Sequence, residues 1–150
     1  MYKEKTFLNC LSYNLFMLLI IILNFLVGLL GGFILELIYR SSNAKKLVLP
    51  KLINIQMYGV MSVFLTLIYF INMSLVFKLI LIFIIPTLIE FLTGYLYLKT
   101  KGIRLWDYSK EKFNFMGIIC LRFSLVWFII SVIYYYLFQI LQKFFLFDIV

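Results

Sequence analysis

Glu36, Glu90 and Arg122 are the residues of this chain whose placement could do chemistry, because each lies inside an otherwise apolar stretch. A charge at a bilayer centre costs about 2.5–3.5 kcal/mol on insertion scales, so such groups are paired or line a polar route. At ~1.5 Å per residue, Glu36 lies ~6 Å inside the end marked by Arg40 and Glu90 ~13 Å before Lys99. Arg122 lies ~9 Å beyond Met116 on the same scale. All three then fall in one half of the membrane, where Arg122 could pair with Glu90 or Glu36 or snorkel to the interface. The sequence has no histidine, which removes the usual neutral-pH base and the commonest metal ligand. Its two cysteines, Cys10 and Cys120, form no C-x-x-C motif and are expected near opposite membrane faces, too far apart to bridge. Ser124 has no base beside it to make it a nucleophile. The chain therefore reads as a non-enzyme, without metal or cofactor.

The elements that hold these groups are four long apolar stretches, approximately residues 15–38, 57–73, 75–98 and 116–141. Hydrophobic residues make up 65% of the 150 residues, more than a domain this small could hide from water. Three stretches supply the ~20 residues that cross a ~30 Å hydrocarbon core. The second is short and could be tilted or re-entrant. The expected fold is all-α, a polytopic membrane helix bundle of about four transmembrane helices with room for a fifth short segment. It forms one integral membrane domain over residues 1–150, and the first stretch is too long for a cleaved signal.

The net charge of +8 does not point to nucleic acid, because the basic residues flank the spans. Arg40, Lys45, Lys46 and Lys51 lie between the first two. Lys99, Lys101, Arg104, Lys110 and Lys112 lie between the last two. The opposite side holds Lys3, Lys5, Lys78 and Lys143. Positive-inside bias puts the basic connections, 40–56 and 99–115, in the cytoplasm and both termini outside. Anionic lipid is the default partner for such loops.

Spacing within the spans suggests how they pack. Asn24, Gly28, Gly32 and Glu36 recur every four residues, and Gly28-x-x-x-Gly32 is a spacing that lets helices approach closely. Thr87, Glu90, Gly94 and Tyr97 share one side of the third span more loosely. Ser124, Trp127, Ser131 and Tyr135 form a stripe on the fourth, from which Arg122 points away. Pro50 disfavours helix through the first connection. In the second, Trp106 and Tyr108 suit headgroup depth, and Asp107 and Ser109 are good helix-start residues.

The string Glu90-Phe-Leu-Thr-Gly94, Arg104-Leu-Trp-Asp-Tyr-Ser109, Phe113-Asn114, Gly117 and Leu121 resembles the signature of a family of small multi-pass bacterial membrane proteins, the putative ABC-transporter type IV or CmpB-like family. Glu36-Leu-Ile-Tyr39 similarly resembles that family's first-span glutamate. The likeness runs over about residues 33–127 and is strongest from Glu90 onward. The middle departs from the pattern: the family commonly shows Arg-Gly-Phe-Leu, Gly-Pro and Pro-Ile-Tyr-Gly, whereas this chain keeps Met57-Tyr58-Gly59 and carries its proline at Pro50. The resemblance implies a permease-like transport subunit in the bacterial inner membrane. Its polar cluster would comprise Glu36, Glu90, Arg104, Trp106, Asp107, Tyr108, Ser109, Asn114 and Arg122, with helix packing at Gly28, Gly32 and Gly94. The sequence has no G-x-x-x-x-G-K-[ST] loop, so a separate ATPase subunit would hydrolyse nucleotide, and homo- or hetero-oligomers are expected. The alternative is a non-transporting scaffold or regulator that binds another membrane protein. An enzyme acting on lipid is a third reading, disfavoured because Glu90 looks too deep for the headgroups.

Overall fold

The computed structural model describes the backbone of residues 2–145 and the side chains of residues 14–140. Its order is α1 (Tyr2–Ala44), α2 (Leu52–Phe70), α3 (Leu75–Lys101), β1 (Asn114–Phe115), β2 (Ile119–Cys120) and α4 (Leu121–Phe145). All four helices are long and apolar enough to cross a membrane, over Asn14–Ala44, Leu52–Phe70, Leu75–Lys101 and Leu121–Ile140. The fold is thus an all-α membrane fold carrying one small β-ribbon. Large apolar side chains such as Leu23, Leu30, Val76 and Ile129 stay exposed along these helices, the side a bilayer would cover.

The chain divides within α2 into two compact units, residues 1–63 and 64–150. In the first, α1 runs through the expected end of its span to Ala44, and Lys45 adopts a left-handed φ of 51°. The Ser41 hydroxyl accepts from the Val48 backbone N–H, fastening the turn. Pro50 does bar helix, and α2 starts at Leu52, with the Lys51 carbonyl accepting from the Asn54 and Ile55 N–H groups. The second span therefore begins five residues before Met57 and ends at Phe70 rather than residue 73.

In the second unit, Ser74 precedes α3 in an extended conformation, and Gly102, at φ 68°, closes the helix with its N–H bonded to the Leu98 carbonyl. A left-handed glycine is the common stop for a helix, and it ends α3 here. Lys78 Nζ donates to the Tyr69 carbonyl at 2.9 Å and lies 5.7 Å from the Tyr69 ring centre, a cation at the last turn of α2. The core joins Leu65, Ile68, Ile82 and Tyr135.

The fourth span does not begin at Met116. Met116 and Gly117 have φ of 56° and 66°, which a right-handed helix cannot hold. They form instead the turn of an antiparallel ribbon that pairs Asn114 with Cys120 and Phe115 with Ile119. Helix α4 starts only at Leu121. Cys120 is buried and carries a free thiol, while the Cys10 side chain, like those of Lys3, Lys5 and Lys143, lies outside the described residues.

Candidate functional site

In the second unit, α3 supplies the floor of the site. Ile82, Pro86, Glu90 and Gly94 are buried along one line, so the expected face is right at Glu90 and Gly94. Pro86 continues it one turn earlier, where Thr87 instead bonds the Phe83 carbonyl of its own helix. At 27 residues, α3 is about 40 Å long at ~1.5 Å per residue, longer than a ~30 Å hydrocarbon core. The following loop folds back along the surplus. Tyr108 Oη donates to Glu90 Oε1 at 3.1 Å, and the Phe115 ring packs on Phe91 at 5.6 Å. Glu90, only 1% exposed, thus meets a polar loop.

The polar and aromatic signature residues Trp106, Tyr108 and Asn114 each make a bond that closes that loop. Trp106 Nε1 donates to the Ile118 carbonyl at 2.6 Å, and the Tyr108 N–H to the Gly117 carbonyl at 2.9 Å. Gly94 leaves the space this closure uses: a methyl there would lie 2.5 Å from Ile118 Cγ2 and 3.1 Å from Trp106 Cζ2. Gly117 suits its positive φ, and a side chain there would displace the Arg104 guanidinium. Asn114 Nδ2 donates to the carbonyls of Ser109 and Glu111, and its Oδ1 accepts from the Gly117 N–H at 3.1 Å. Tyr108 also stacks on Phe123, ring centres 4.4 Å apart.

Two expectations for this loop are corrected. Asp107 and Ser109 start no helix; Asp107 Oδ1 accepts from the Ser109 N–H and from Arg104 Nη1, both at 3.0 Å. An aspartate bonded two residues ahead closes a turn with the same chemistry that caps a helix. Arg122 does not reach Glu90: its Nη1 lies 3.3 Å from Glu111 Oε1, and its side chain is 70% exposed. An exposed pair of this kind contributes about 0–1 kcal/mol, so Arg122 orients the loop only lightly. The stripe of α4 is as expected, with Ser124, Trp127, Ser131 and Tyr135 all buried.

The bond from the Ser109 backbone N–H, then the Ser109 side chain, hold the Asp107 carboxyl below its ordinary value of 3.8 against the opposing effect of burial, with Arg104 adding a smaller lowering. The lowered value means that the turn gains stability from the ionised form above the ordinary value and loses it as pH falls through the folded one. The Ser109 amide-proton shift, followed by NMR, should accordingly titrate with a midpoint below 3.8. A midpoint at or above it would mean that the turn does not form.

Glu36 belongs to the first unit and has its own setting. Its Oε2 accepts from Arg40 Nε at 2.6 Å and from Asn54 Nδ2 at 3.1 Å. Below it, Gly32 is covered by Tyr58, Gly28 by Ser62 and Tyr58, and Ser62 Oγ donates to the Asn24 carbonyl at 2.7 Å. The four-residue stripe of α1 therefore meets a matching stripe, Asn54, Tyr58 and Ser62, on an antiparallel α2. That second stripe has the same four-residue spacing in the sequence, and its polar residues at the start of α2 interrupt the apolar run. Gly59 adds a reciprocal contact, with Phe25 and Leu29 over it. The retained Tyr58-Gly59 pair is thus a packing element. Among the described residues, no three His, Cys, Asp or Glu side chains come together as a metal site would need.

Residues 23–149 match the family described as "Putative ABC-transporter type IV". The chain belongs to that family. The match covers most of the chain, including α2, where the resemblance by motif was weakest. Within the match, Trp106 and Tyr108 close the loop onto α3. No curated protein and no solved structure matches the chain. By its family's description this is an ABC-transporter-related membrane protein.

Proposed function

We propose that this protein is a permease-like membrane subunit of a bacterial transport system, seated in the inner membrane with connections 40–56 and 99–115 in the cytoplasm. A separate ATPase drives it from that side. One observation carries the reading: Trp106, Asp107, Asn114 and Gly117 close one loop upon itself, and Tyr108 ties that loop to Glu90 of α3. A loop over-determined in this way can pass a partner's motion to the helix beneath it, which a floppy connector cannot. The sequence carries no G-x-x-x-x-G-K-[ST] loop, so on this reading any ATP hydrolysis belongs to the partner.

Gentle purification from the native host, followed by mass spectrometry of what remains bound, tests the proposal. A stoichiometric nucleotide-binding ATPase is expected, and Glu90→Gln should then lower ATP-dependent transport. Recovery of self-oligomers alone would overturn ATP coupling.

A scaffold or regulator is the second reading, and the bonding of the polar groups favours it. Glu36 is occupied by Arg40 and Asn54, and Arg122 by Glu111, while the groove beside the loop is lined almost entirely by apolar groups. On this reading Glu90→Gln leaves partner binding intact. Gly28 and Gly32 are covered within the chain, so another face must meet the partner.

A further inference from the structure

The ribbon exposes apolar groups where a water-facing connector would carry polar ones. Phe113 is 82% exposed, Phe115 57% and Met116 48%. Phe113 and Met116 hold positive φ, of 53° and 56°, a conformation that bulky residues adopt at a cost. Below the ribbon an open groove of about 270 Å³ runs along α3, lined by Phe83, Ile84, Leu88, Phe91, Phe115 and Ile119. Ile84 and Leu88 lie within a membrane-spanning helix and are each 49% exposed. What covers such a groove in a bilayer is hydrocarbon.

The charge of the connection that leads into the ribbon is lopsided. Between residues 99 and 115 stand Lys99, Lys101, Arg104, Lys110 and Lys112 against Asp107 and Glu111. Both acids are taken, Asp107 by Arg104 and Glu111 by Arg122. Lys110 and Lys112 form no ion pair among the described residues, and both are exposed. Lys112 precedes Phe115 by three residues, so the chain that walls the groove also carries the cations. The Phe113 carbonyl accepts from the Leu121 N–H, tying this segment to the start of α4.

We propose that the ribbon and the adjoining face of α3 bind an anionic phospholipid from the surrounding leaflet. One acyl chain lies in the groove against Leu88 and Phe115, and the phosphate meets Lys110 and Lys112. Phe113 and Met116 sit among the headgroups, where exposed apolar side chains lose little. The site does not depend on whether the protein transports anything.

The test is native mass spectrometry of the full-length protein, incubated in mild detergent with equal amounts of phosphatidylglycerol and phosphatidylcholine bearing the same chains. The wild type should retain phosphatidylglycerol in preference. Lys110→Ser with Lys112→Ser should reduce that preference by about fivefold for each lysine, the usual weight of one cation at an anionic surface. Both lysines are exposed, so this variant should elute as the wild type does. Leu88→Trp, which fills the groove from an exposed position, should lower retention of both lipids. Equal retention of the two lipids by the wild type, or an unchanged preference in the lysine variant, would overturn the proposal. Undiminished retention by a folded Leu88→Trp would overturn the groove as the seat of the chain.

Discussion

Gly32→Leu should cripple this protein, because α2 packs directly over that position of α1. A methyl at that position would already stand 2.5 Å from Cβ and Cγ of Tyr58, and leucine adds three further carbons to the same space. Overpacking in a well-fitted core costs about 1–3 kcal/mol. Here both backbones are helical and neither can move aside cheaply. The adjoining contacts would open with it: Ser62 would lose the Asn24 carbonyl, and Asn54 would lose Glu36. The expected result is a sharp fall in folded yield and thermal midpoint in detergent. Gly31→Leu is the control, because nothing lies within 4 Å of a Cβ there. Equal tolerance of the two would mean that α1 and α2 do not pack through this stripe.

Tyr108→Phe should unlatch the loop while leaving the helices intact. The phenol is a donor to Glu90, a carboxyl 99% removed from solvent by its 1% exposure. Removing a partner from a buried polar group costs about 1–3 kcal/mol. The ring itself would stay, because phenylalanine can still stack on Phe123. When opening is rapid, proteolysis follows the population of the open form. Trypsin should then cut after Lys110 and Lys112 about fivefold to a hundredfold faster in the variant, at about 1.4 kcal/mol per factor of ten. Unchanged cleavage kinetics would show that the Tyr108–Glu90 contact does not hold the loop.

What the sequence revealed was largely what hydrophobicity and helical period encode. Four apolar runs give four spans, because the bilayer demands length before anything else. The stripes Asn24 to Glu36 and Ser124 to Tyr135 could be read from spacing alone, since a helix places such residues on one face whatever they touch. Their partners could not. Asn54 lies in the first turn of α2, where Asn54 and Gln56 dilute the apolar run, so the span was begun at Met57 and lost the residue that meets Glu36.

The loop was misread in two ways for related reasons. Met116 to Cys120 looks like the start of an apolar helix, yet Gly117 lies in the left-handed region and Arg104 occupies the space beside it. Asp107 uses one kind of side-chain to backbone bond that serves helix caps and turns alike, and only the following residues decide between them. The partner of Arg122 was likewise invisible. Glu111 is eleven residues away along an irregular segment, and no period links them. Counting along α3 from Lys99 places Glu90 well inside the helix, and the loop returns along the same helix to bring the Tyr108 hydroxyl to it.

The role of the signature residues depends on residues 103–120 forming one closed structure at the end of α3. Amide hydrogen exchange of the wild-type protein in lipid nanodiscs measures this directly. The Tyr108 and Ile118 amides, bonded to the carbonyls of Gly117 and Phe115, and the Gly117 amide, bonded to Asn114, should be strongly protected. Uniformly fast exchange through all of 103–120 would contradict the account, and would leave the family's signature residues without the task assigned to them here.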